Sequence, residues 1–241
     1  MRAVFRREFK SFFTTPIGYV VIAAIFCVSG VLFKKFNLEG ITLQGGSTNL
    51  SYVYIGLFYV SFFVMPFLTM RLFSEEKHQK TDQALFTAPT GLTGIVLGKF
   101  FAALALFALA LSITLVYALI IALKATPDWL VIAGNFLGLL LVGGMMIAIG
   151  LLISALTESQ VIAALGTLMV SLFFVFCIDG LAPKFSAIPW LYNAITFLSI
   201  SNRYSSFTIG LIEYDNIIFF LSLQALFIFI TVRVLDSKRW K

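Results

Sequence analysis

Residues 71–99 read RLFSEEKHQKTDQALFTAPTGLTGIVLGK, the longest polar interruption between two long apolar runs. The stretch opens with charge (Arg71, Glu75, Glu76, Lys77, His78, Lys80, Asp82) and passes through the apolar triplet Ala84, Leu85 and Phe86. It then breaks at Pro89 and Gly91 and closes on Lys99. Ser74 followed by Glu75 and Glu76 suits a helix start, because carboxylates in a first turn meet the positive end of the helix dipole. The expectation is a short helix held against a membrane by its flanking spans, with a soluble partner pressing on it. A solvated loop between two spans is the plainer alternative.

Outward from that loop the chain is apolar. Of its 241 residues 60% are hydrophobic and only 12% charged, and the mean hydropathy is +1.01. A soluble domain carries about a quarter charged residues, so the natural solvent here is lipid. Residues 1–241 read as a single transmembrane domain with almost nothing outside it. A net charge of +6 in such a chain reports topology rather than nucleic-acid binding. Cys27 and Cys177 both lie inside apolar runs and read as small packing residues. His78 is the only histidine, which excludes a His-based metal site within one chain.

Residues 1–14, MRAVFRREFKSFFT, have helical period. Phe5, Phe9, Phe12 and Phe13 fall on one face, and Arg6, Arg7 and Lys10 on the other. Such a helix lies along a membrane surface, rings in the acyl boundary and cations at lipid phosphates. A mitochondrial-type targeting sequence is the competing reading, disfavoured by Glu8 and by the immediate continuation into a span. The first apolar run is long enough to cross, so no cleavable signal is read.

Six uncharged windows follow, near 17–35, 51–70, 98–123, 129–153, 160–181 and 213–235. Each can cover a hydrocarbon core about 30 Å thick with about 20 helical residues. Pro16 sits where a helix can begin; Pro66 lies inside the second span and is expected to kink it. With six spans and the N-terminus inside, 12 of the 17 Lys and Arg residues fall on the inner side, which puts both termini in the cytoplasm. Residues 182–212 are read as a re-entrant pair of short helices on the outer face. Pro189 interrupts them, Asn193, Ser199, Ser201 and Asn202 load them with polar groups, and a seventh span would put the basic tail outside. In the fourth span Gly134 and Gly138 have GxxxG spacing, which lets helix backbones approach closely within the chain or between subunits.

The chemistry of an enzyme is missing. There is no GxxxxGK[ST], HExxH or GxSxG, and no Cys/His cluster. No internal repeat stands out to support an inverted-repeat transporter. Asp179, Glu158 and Glu213 lie at span ends, where they read as interfacial or capping residues rather than transport carboxylates. Catalysis by this chain alone is not expected.

The pattern of basic amphipathic helix, six spans and acidic-to-apolar inner loop resembles permease subunits of ATP-binding-cassette (ABC) exporters of the type-2 class. FRREFKSFFTTPIGYV looks like the opening interfacial helix and its turn into the first span. In the inner loop the family commonly shows a glutamate pair, a Thr, an apolar triplet, a Pro and an apolar-Gly-Lys start to the third span. These fall here on Glu75 and Glu76, Thr81, Ala84 to Phe86, Pro89, and Leu97, Gly98 and Lys99. Lys80 stands before the Thr where many members have Gly. The C-terminal IEYDNIIFFLSLQALFIFITVRVLDSKRW resembles the subgroup of gliding-motility-associated permeases and permeases for nitrous-oxide-reductase maturation.

The resemblance implies an all-α integral membrane fold with six transmembrane helices, an N-terminal amphipathic interfacial helix and a re-entrant hairpin before the sixth span. It implies a non-catalytic subunit of a bacterial-type cytoplasmic (inner) membrane exporter, with ATP and Mg bound in a separate cytosolic ATPase and no cofactor in this chain. Expected partners are that ATPase, a second permease copy or related permease, membrane lipids and an extracytoplasmic accessory protein. The loop 71–98 is then the coupling segment, its residues Glu75, Glu76, Thr81, Asp82, Leu85, Phe86 and Pro89: Glu75, Glu76 and Asp82 meet cations of the ATPase, while Leu85 and Phe86 dock in its apolar floor. A membrane scaffold that recruits a soluble partner without transport is the alternative.

Overall fold

The computed structural model describes residues 1–38, 50–80, 91–123, 127–181 and 189–239. Among these every regular element is helical. The chain opens with α1 (Arg2–Thr14), turns at an extended Thr15 and enters α2 (Pro16–Phe33), whose first residue is the expected proline. A π-helical turn, Lys34–Leu38, prolongs α2. Then come α3 (Ser51–Thr69), the five-residue α4 (Ser74–His78), and α5 (Leu92–Leu111) running into α6 (Ile113–Ala122). The fourth and fifth long helices are α7 (Trp129–Leu156) and α8 (Gln160–Leu172), the latter continued by a π-helical turn and by α9 (Ile178–Leu181). The short pair α10 (Pro189–Leu198) and α11 (Ile200–Thr208) precedes the last helix, α12 (Tyr214–Arg239).

Six helical stretches are long and apolar enough to cross a membrane: Pro16–Asn37, Ser51–His78, Leu92–Ala122, Trp129–Leu156, Gln160–Leu181 and Tyr214–Ser237. The third begins at Leu92, six residues earlier than the charge pattern suggests, so the inner loop is shorter than 71–98. Gly91 is extended and ends the loop, and Ile95 and Val96 are already buried. Thr93 and Gly94 are small enough to be carried on the first turn of an apolar helix.

The bundle is built around α7, which touches α3, α5, α8, α11 and α12. Its glycines explain how. A Cβ on Gly150 would overlap the Thr69 side chain of α3, one on Gly143 would overlap the Phe107 ring of α5, and one on Gly144 would lie 2.9 Å from the Gln224 amide of α12. Where hydrophobic segregation gives no net drive, removing Cβ atoms lets backbones and side chains meet closely. Pro66 lies buried within α3, and the helix continues past it to Thr69.

Residues 189–208 form two helices of ten and nine residues, with Ser199 between them. Neither is long enough to span. The Ser199 hydroxyl accepts the Asn202 N–H as an N-cap and donates to Asp179 at 2.6 Å. Gly210, at φ +81°, closes α11: its N–H bonds Phe207 O and the Leu211 N–H bonds Ser206 O, the two bonds of a Schellman ending.

Candidate functional site

The loop that organises the sequence starts from a helix end anchored on three sides. After Thr69 the chain makes one turn and re-enters helix at Ser74. The first N–H groups of any helix lack partners within it. Here the backbone N–H groups of Phe73 and Ser74 both donate, at 3.0 Å, to the hydroxyl of Ser154 on α7. That hydroxyl donates in turn to Met70 O at 3.3 Å. The Lys77 ammonium donates to Ala155 O in the last turn of α7, where a cation also meets the negative end of the helix dipole.

The third anchor is ionic. Lys99, on the second turn of α5, is 1% exposed. Its Nζ reaches Leu72 O at 2.6 Å, Glu76 Oε1 at 3.0 Å and Glu8 Oε1 at 3.1 Å, and lies 5.0 Å from the Phe73 ring centroid. Arg7 completes a quartet by bonding Glu8 at 2.6 Å and Glu76 at 2.7 Å. Burial works against the Arg7 charge, but the two carboxylates outweigh it and hold the guanidinium pKa above its usual value. Two cations and two anions cancel, so a group that is costly to bury alone becomes tolerable. Four segments meet at this point: α1, the end of α3, α4 and α5. Gly98 makes the approach possible, since a Cβ there would stand 3.0 Å from the Val4 side chain.

Residues 27–235 match the family model described as ABC-2 family transporter protein. The chain belongs to that family. No curated protein matches it with significance. Membership makes this ABC-2 protein a multi-pass membrane component of an ABC transporter, and it implies an ABC ATPase as its partner.

Of the residues the sequence singles out, the ABC-2 chain directs Glu76 inward to Lys99 and Arg7, while Glu75 pairs with Arg71 one turn away on the same segment. Both glutamates thus make ion pairs within the chain. Thr81, Asp82, Leu85, Phe86 and Pro89 lie outside the described residues. Lys80, just before them, has φ +56°, the left-handed region that glycine enters without penalty. Lysine therefore stands in a backbone conformation that a Gly would favour.

On α1, Arg6 and Lys10 are exposed, Phe12 is buried, and Phe5, Phe9 and Phe13 pack partly against the core. Part of the apolar face is therefore covered by the protein itself. Gly134 and Gly138 face α11: a Cβ on Gly138 would stand 2.9 Å from Phe207, so their close approach is made within the chain. Sequence reasoning missed Glu8, Lys99 and Ser154 as working residues. A signal existed for the first two. Glu8 is the only acid in a basic helix, and Lys99 is a lone charge at the head of an apolar run.

Proposed function

We propose that this chain is the permease subunit of an ATP-driven ABC exporter, and that residues 71–90 take up movement from a separate ATPase. One observation carries the reading: the base of that loop is joined to α1, α5 and α7 by the Lys99 quartet and the Ser154 cap. A push on the loop is then passed at once to three other helices, a small displacement amplified by packed elements. Glu75 and Glu76 hold the base rigid, while Asp82, Leu85 and Phe86 make the contact with the ATPase. ATP and Mg belong to that partner. The excess of Lys and Arg on the loop side supports a cytoplasmic position for the loop and both termini.

A second permease subunit completes the pathway. Tyr52, Tyr59, Phe63 and Phe67 form an exposed aromatic stripe on α3, next to the exposed Leu165 and Met169 on the neighbouring α8. An apolar seam between two copies fits that face, with lipid covering the remainder.

The test is co-expression with a candidate ABC ATPase from the same genome, followed by ATP turnover in proteoliposomes. Turnover stimulated by this chain, and lost in the double variant Leu85→Asp/Phe86→Asp with insertion intact, is the expected result. Binding with unchanged turnover would make the chain a scaffold and overturn the proposal.

A further inference from the structure

A groove of about 800 Å³ opens on the outside of the bundle between α5, α7 and α12. Its walls are almost wholly apolar, with Leu97 and Leu104 on α5, Leu140 on α7 and Phe229 on α12. The one amide in the lining, Gln224, is turned into the protein, where it donates to Leu141 O at 2.9 Å. Among the lining residues charge enters through Arg233 on α12, and Thr93 near the start of α5 adds a hydroxyl.

We infer that this groove holds the acyl chain of an anionic glycerophospholipid, its phosphate at Arg233, drawn from the leaflet on the side of both chain termini. Three observations select that occupant. The first is length. The lining runs on α12 from Arg233 to Leu221 and on α5 from Thr93 to Leu104, spans of roughly 16–18 Å at the helical rise of about 1.5 Å per residue. Half of a hydrocarbon core is about 15 Å. The groove therefore begins at one interface and ends near the midplane, which suits a lipid tail; a partner's transmembrane helix would need a track through both leaflets.

The second is charge. The Arg233 guanidinium is exposed, lies 5.1 Å from the Phe229 ring, and among the described residues is in no ion pair. It contrasts with Lys99 on the neighbouring helix face, whose charge is directed inward. The third is polarity along the track. Apart from Thr93 and Arg233, the polar side chain among the described lining residues is Gln224, whose amide is bonded to Leu141 O, so nothing deep in the groove calls for a polar cargo. The inference holds whichever way round the chain sits in the membrane and whatever it transports.

Native mass spectrometry of the full-length chain in detergent tests it, with phosphatidylglycerol and phosphatidylcholine of matched chains as probes. Phosphatidylglycerol is expected to be retained about fivefold more strongly, the effect of one cation at an anionic surface. Arg233→Gln should bring it down to the phosphatidylcholine level. Leu104→Trp, which fills the groove and leaves Arg233 in place, should weaken both lipids. Equal retention of the two lipids by the unaltered chain would overturn the proposal. So would a preference that survives Arg233→Gln, full retention in Leu104→Trp, or displacement of the lipid by inorganic phosphate alone.

Discussion

The two ends of the bundle are held by different physics. At the end bearing the loop, a buried lysine is surrounded by two carboxylates, a carbonyl and a ring, with Arg7 closing the circuit. At the opposite end no ion pair is found among the described residues, and the buried ties are between neutral groups. The Tyr54 hydroxyl donates to Thr114 at 2.9 Å, and the Tyr204 hydroxyl lies 3.3 Å from both Asn135 Oδ1 and Tyr54 O. The cation there, Arg203, is sandwiched between the Phe197 and Phe219 rings at 4.3 and 4.1 Å, with Asn216 accepting one of its N–H groups. A neutral network loses one bond at a time. A charged one loses its balance altogether when a single member goes, because the remaining charges stay buried. The loop end is therefore the more sensitive of the two to the loss of a single residue.

The sharpest way to break that contrast is Lys99→Met. It leaves Glu8 and Glu76 sharing Arg7 as their one cation in the quartet, and unfolding in detergent should show a loss of about 3 kcal/mol. A loss below about 1 kcal/mol would put both ends on the same footing. Gly150→Ala comes next, because its Cβ has no room beside Thr69. A cost of about 1–3 kcal/mol is expected, greater than that of Gly134→Ala at the other end, whose Cβ would stand 3.2 Å from Phe207 O. Tyr204→Phe removes one hydroxyl from the neutral network and should cost about 1 kcal/mol. Lys80→Gly should go the other way and stabilise by about 0.5–1 kcal/mol, since it relieves a left-handed lysine; thermal unfolding of the two variants side by side reads both signs.

Much of this architecture was legible because it is written in local patterns. Six apolar windows gave six crossing helices, and Pro16 marked the start of the first. Pro189 marks the start of the first short helix and Ser199 the break before the second. Boundaries moved where composition is ambiguous: residues 92–98 look like loop to a reader counting charge from Lys99, yet they are the first turns of α5. What the pattern could not give is pairing at a distance. Glu8 meets Lys99 across 91 residues of chain, and the Ser154 hydroxyl is indistinguishable in sequence from any other small polar residue in an apolar helix. For the same reason the ion pairs of Glu76 with Arg7 and Lys99 are not readable until the neighbours on α1 and α5 are in place.

The quartet also fixes an order of events during synthesis. Glu8 leaves the ribosome long before Lys99, and until then its carboxylate has only Arg7 beside it. The amphipathic start of the chain cannot settle into its final seat until the third crossing helix has been inserted and the lysine at its head delivered. The native join between first and third elements is thus a signature of completed insertion, absent from any shorter nascent product.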